Sequence, residues 1–168
     1  MRKYLFIALI GLFQMAVSPD AASAQALTEP GVKITGEVTA AQTIHAADLK
    51  QFKQVTVIRK DRDGKDHTYS GVKLFDLLLK AGVTLGKDLR GENLTKFALI
   101  EASDGYQVIF TLAELDSEFT DRAIILADRV DNQLLPVADG PFRIIVQDEK
   151  KPARCIKQVT AIKIAFAK

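Results

Sequence analysis

The sequence predicts an α+β fold: a mixed, mainly antiparallel sheet carrying short helices. Three observations lead there. Short runs of alternating apolar residues outnumber helical patterns along the chain. Turn signals of the Asp-Gly kind, Asp61-Arg62-Asp63-Gly64 and Ser103-Asp104-Gly105, join neighbouring runs as hairpins. One stretch, Leu74 to Ala81, carries clear helical spacing. Hairpins between short strands give an antiparallel arrangement, with helices set to one side.

Val32 to Val38 reads as a strand, with Val32, Ile34 and Val38 alternating with Lys33, Thr35 and Glu37. A short helical patch follows at Ala46 to Phe52. Val55 and Val57 lie in the next strand, Asp61 to Gly64 forms the turn, and His67 to Tyr69 returns. In the helix, Leu74, Phe75, Leu77, Leu78 and Ala81 share a face, Asp76 and Lys80 pair at i,i+4, and Gly82 terminates it. Leu85 to Leu94 is a polar connection. Phe97 to Ala102 and Tyr106 to Phe110 form the second hairpin. Thr111 with Glu114 has the spacing of a capping box for a short helix at Leu112. Ala123 to Ala127, Phe142 to Val146 and Val159 to Phe166 complete the strands, the last closing the sheet; Asp131-Asn132 is a turn.

The first residues predict a processing signal. Arg2 and Lys3 precede an apolar run from Leu5 to Val17, and Ala22-Ser23-Ala24 offers a small-x-small cleavage site. The run is short for a membrane span of ~20 residues. The expected organisation is therefore a signal peptide at 1–24 and one domain at 25–168, periplasmic or secreted, with no membrane span after cleavage. There are 23 Lys and Arg against 21 Asp and Glu, in alternation rather than in blocks, which excludes a nucleic-acid footprint. Cys155 is the only cysteine, so no internal disulfide forms and stability rests on packing. Burial as a small hydrophobe is expected for it.

Most candidate chemistry fails on spacing. Asp61, Asp63 and Asp66 do not match a calcium loop, because Gly64 and Val72 stand at the wrong positions. Ser70-Gly71-Val72-Lys73 is a bare S-x-x-K without its companion motifs. Gly82 to Lys87 misses a phosphate loop by one residue, and Asp88 stands where Ser or Thr would bind Mg²⁺. His45 and His67 fall on different elements, without the spacing of a metal site. A more coherent candidate lies near the C-terminus. Arg154 and Lys157, with Arg143 on the apolar strand that follows Gly140-Pro141, can form a cationic cluster for a small anion. A solvated basic edge is the alternative.

Four ordered blocks resemble the molybdopterin-binding domain of the sulfite oxidase family. They are Tyr69 to Leu78 ending at Ala81-Gly82-Val83; Ala102 to Val108; Leu126-Ala127-Asp128 with Leu134-Leu135-Pro136; and Gly140 to Val146 with Arg154, Lys157, Val159 and Ile162. The resemblance implies that fold, and in its catalytic members a cysteine thiolate on molybdenum. The corresponding region here, Val55 to Tyr69, has no cysteine. Asp148-Glu149-Lys150-Lys151-Pro152 replaces the family's glycine-rich approach, and bulkier residues hinder close backbone contact with a pterin phosphate. Only Arg154 and Lys157 carry over by position. The resemblance also implies cofactor loading before translocation, whereas this signal lacks a twin-arginine run. The expectation is a non-redox ligand-binding or accessory module without cofactor, taking a small anionic ligand or an exported partner protein. A molybdopterin-dependent oxidoreductase is the alternative, and a hydrolase using His45 or His67 a more distant one.

Overall fold

The computed structural model describes residues 29–167, so the expected signal at 1–24 lies outside the described residues. Two sheets and two short helices make up the architecture. The first sheet has the order β2-β1-β10-β5-β6, built from β1 (Gly31–Gly36), β2 (Gln42–His45), β5 (Lys96–Ala102), β6 (Gln107–Thr111) and β10 (Val159–Phe166). The second contains β3 (Gln54–Lys60), β4 (Asp66–Lys73), β7 (Ile124–Val130), β8 (Gln133–Leu134) and β9 (Arg143–Val146), with β9 paired to β7. All pairings are antiparallel except β1 with β10. The expected class is the observed one. The arrangement differs in one respect: β10 does not close a sheet but lies inside the first, between β1 and β5. Its alternation buries Val159, Ile162 and Ile164 on one face, which a central strand of a sandwich requires.

The main core fills the space between the sheets. Ile34, Ile100, Phe110 and Ile162 come from the first sheet, and Val72, Leu126 and Ile144 from the second. Helix α1 (Leu74–Lys80) adds Leu74, Leu77 and Leu78, all fully buried, and ends at Gly82 in the left-handed region at φ +74°. Helix α2 (Leu112–Leu115) starts with the expected capping box: the Glu114 amide donates to Thr111 Oγ1, and the Thr111 amide donates to the Glu114 carboxylate. The patch before β3 is a single 3-10 turn, Asp48–Gln51.

Strand β4 runs through Ser70 to Lys73, past the Tyr69 limit read from the sequence. Gly71 resembles a turn residue, yet it sits at a bulge between β4 and β7. A Cβ there would lie 2.1 Å from the Leu126 carbonyl oxygen, so the strands meet only because the side chain is absent.

The second sheet also buries its other face. Val57, Tyr69, Ile125, Ala127 and Ile145 form a smaller cluster there. Two arginines share that face, Arg59 on β3 and Arg143 on β9, at 7% and 5% exposure. Arg59 Nη1 donates to the Glu149 carbonyl just beyond β9, at 3.0 Å, and so bridges the far strands of the sheet. The sheet thus curls around an interior that is apolar at one end and ionic at the other.

Candidate functional site

The ionic end of the curled sheet opens into a cleft of about 280 Å³. Three segments converge on it. The β3–β4 turn brings Asp61, Arg62, Asp63 and His67, the loop before β9 brings Asp139 and leads to Arg143, and the crossover from β9 to β10 brings Cys155 and Lys157. That crossover is tied to both sheets: Ile144 N–H donates to Ile156 O, Gln158 N–H to Asp139 O, and Ser103 N–H to Gln158 O. Residues on the two sheets are therefore held in one wall.

Arg143 is the centre of the site. Its Nη1 donates to the Tyr69 hydroxyl at 2.7 Å and to Asp139 Oδ2 at 2.8 Å. Its Nε is buried without a hydrogen-bond partner. Tyr69 in turn donates to the Asp61 carboxylate. Burial, and then the bond to that carboxylate, push the Tyr69 hydroxyl well above its ordinary value, so it stays protonated. Asp61 Oδ1 also lies 3.5 Å from Arg59 Nε. Asp139 is shared with Lys157, whose Nζ sits 2.5 Å from Oδ1. Two carboxylates thus hold three cations, which offsets much of the several kcal/mol that an unpaired buried charge costs.

His67 borders the cleft at its outer edge. Nδ1 lies 2.6 Å from Asp131 Oδ2, and Nε2 lies 3.0 Å from Asp63 Oδ2. Two carboxylate partners require both ring nitrogens to donate. Those bonds, Asp131 first, raise the imidazole to about 9, and the bonds from His67 lower Asp63 and Asp131. Such a ring has no lone pair to serve as a base. His45, on β2 in the other sheet, faces the Pro30 carbonyl. The two histidines are not brought together. Among the described residues no group of three or more His, Cys, Asp and Glu side chains can hold a metal ion.

The cationic residues expected from the sequence separate in space. Arg143 and Lys157 line the cleft. Arg154 does not. Its Nε and Nη2 donate to the two oxygens of Glu149, both at 3.0 Å, and its Nη1 donates to Glu114 at 3.0 Å. Its guanidinium also lies 4.7 Å from the Phe110 ring centre. Glu149 is held below the ordinary carboxylate range by these bonds, and Glu114 likewise despite its burial. Cys155 is 4% exposed, and desolvation pushes its thiol up.

Arg59, Arg62 and Asp139 were not site candidates in the sequence, Asp61 was weighed only as a calcium ligand, and Tyr69 entered only as part of a resemblance block. A signal existed for one of them. Arg59 follows Val55 and Val57 at a period of two, which places a cation on the inward face of an apolar strand.

No protein-family model matches the chain. No curated protein matches it in sequence either. Among solved structures it is similar to the sulfane dehydrogenase SoxCD from Paracoccus pantotrophus, at TM-score 0.62 and 19% identity, over 80% of this chain and 38% of that one. The likeness is one of fold. At the level of fold the expected resemblance holds. This chain spans well under half the length of that neighbour.

Proposed function

We propose that the chain is an exported, non-redox binding module that takes a small anion, or an exported protein presenting one, in the cleft beside Arg143. The observation that carries this reading is the grouping of three cations, Arg143, Lys157 and Arg62, on one open cleft. A guanidinium on the cleft wall beside Lys157 and Arg62 attracts an anion by charge and hydrogen bonding together. The contacts are Arg143, Lys157 and Arg62. Arg154 braces the adjoining turn Pro152–Arg154 through Glu149 and Glu114.

The donor set fits molybdopterin poorly, which supports a reading without that cofactor. The single thiol, Cys155, is buried and held protonated rather than presented as a thiolate.

The test uses the purified full chain. Titration with inorganic phosphate and with acetate, followed by amide chemical shifts, should perturb residues around Lys157. The double variant Arg62→Ala, Lys157→Ala should weaken binding at least fivefold with an unchanged melting temperature. Undiminished binding would remove these side chains from the site. Molybdenum at one equivalent per chain, in protein purified from its native envelope, would overturn the non-redox reading.

A further inference from the structure

The cleft has a second arm. A cavity of about 290 Å³ adjoins the first and shares Arg62, Pro152, Cys155 and Lys157 with it. Its character differs. Ala102, Ala138, Ala153 and Ile156 line it, together with Tyr106. Tyr106 is half-exposed, and its hydroxyl donates to the Ala153 carbonyl at 3.1 Å, which fixes the ring against the Pro152–Arg154 turn.

Two polar residues of this arm have protein partners. Asp104 accepts from the Tyr106 amide at 2.9 Å. Gln158 accepts from Ser103 Oγ and donates to the Val137 carbonyl. Beside these polar groups the arm offers a ligand apolar side-chain surface and one aromatic ring. A site with a few placed polar groups at one end and apolar walls at the other binds molecules of matching polarity.

We propose that the anion recognised beside Arg143 is organic, with its charged head at Arg143 and Lys157 and an apolar tail of several carbons laid along the Tyr106 arm. This rests on the anion-binding reading above and names the class of ligand. An inorganic anion fills only the ionic arm. An organic one also removes the apolar arm from water, at about 0.8 kcal/mol per fully buried methylene.

Acetate, hexanoate and the neutral hexanamide separate the contributions. Each is titrated into the full chain, and the dissociation constant is read from amide shifts. Hexanoate should bind at least tenfold tighter than acetate, and hexanamide more weakly than hexanoate. Tyr106→Ala, at a half-exposed position, and Ala138→Trp, which fills the arm from an exposed position, should each bring hexanoate down to the level of acetate without changing acetate. Equal affinity for acetate and hexanoate overturns the organic-anion inference while the anion reading stands. An unchanged hexanoate advantage in both variants overturns the placement of the tail. Failure of every anion, phosphate included, overturns both readings.

Discussion

Two arginines in this molecule show how similar chemistry is put to different uses. Arg154 makes a two-pronged ion pair with Glu149, a further bond to Glu114 and a stacking contact with Phe110. Arg143 is more deeply buried, yet only Nη1 makes hydrogen bonds, to Tyr69 and Asp139. Its guanidinium also lies over the Tyr69 ring, 5.1 Å from the centroid. A guanidinium with all three nitrogens bonded to carboxylates marks a structural brace. Arg143 instead lies on a cleft wall with two of its three nitrogens free of protein partners. Position along the chain did not distinguish them, whereas the partners around each guanidinium did.

The strongest way to break that contrast is to remove the anchor of Arg143. Asp139→Ala leaves a buried guanidinium without its main counter-ion and should cost about 3–5 kcal/mol in urea denaturation. A loss below about 1 kcal/mol would mean that water or another carboxylate replaces Asp139 freely. Next comes Arg154→Ala. Arg154 and Glu149 are partly exposed, so the expected loss is about 1–2 kcal/mol, with anion binding at the cleft retained. If that variant abolished binding at unchanged stability, Arg154 would belong to the site and the contrast would fail.

A third test concerns the cleft's outer edge. His67 is raised to about 9 in the folded protein from an ordinary value near 6.5. Its contribution is therefore complete below about pH 6.5 and lost as pH rises through about 9. The melting temperature should fall across that window, and His67→Asn should flatten the fall. The lowered Asp63 and Asp131 add stability above the ordinary carboxylate value, which is lost on acidification through their folded values. The smallest effect is expected from Lys157→Ala. Lys157 is half-exposed, so its pair with Asp139 should change stability by less than about 1 kcal/mol while anion affinity drops.

Much of the fold was legible because its signals are local. The alternation in Val159 to Phe166, the Asp-Gly turn at Gly64, the capping box of Thr111 with Glu114 and the stop at Gly82 each depend on residues a few positions apart. Gly71 gave no local signal for the opposite reason. Its role is set by the Leu126 carbonyl, more than fifty residues away in sequence. The site was half legible. Arg143 and Lys157 stood out as cations beside apolar runs, but Arg154 stood out equally, and nothing local shows that Glu114 and Glu149 claim it. Asp61 and Arg62 looked like ordinary turn residues because turns favour polar side chains on any fold.

By itself the sequence determined most of the strands, the β3–β4 and β5–β6 hairpins, the α+β class and a chain without a second cysteine, since these follow from composition and short periodicities, but not the short β2 and β8. Only the tertiary structure decided that β10 lies inside its sheet, that the second sheet curls around two buried arginines, and that one cation faces a cleft while another is locked in a brace. Those outcomes depend on which distant residues come within about 3 Å of each other, and a hydrogen bond at that distance leaves no periodic trace in the chain.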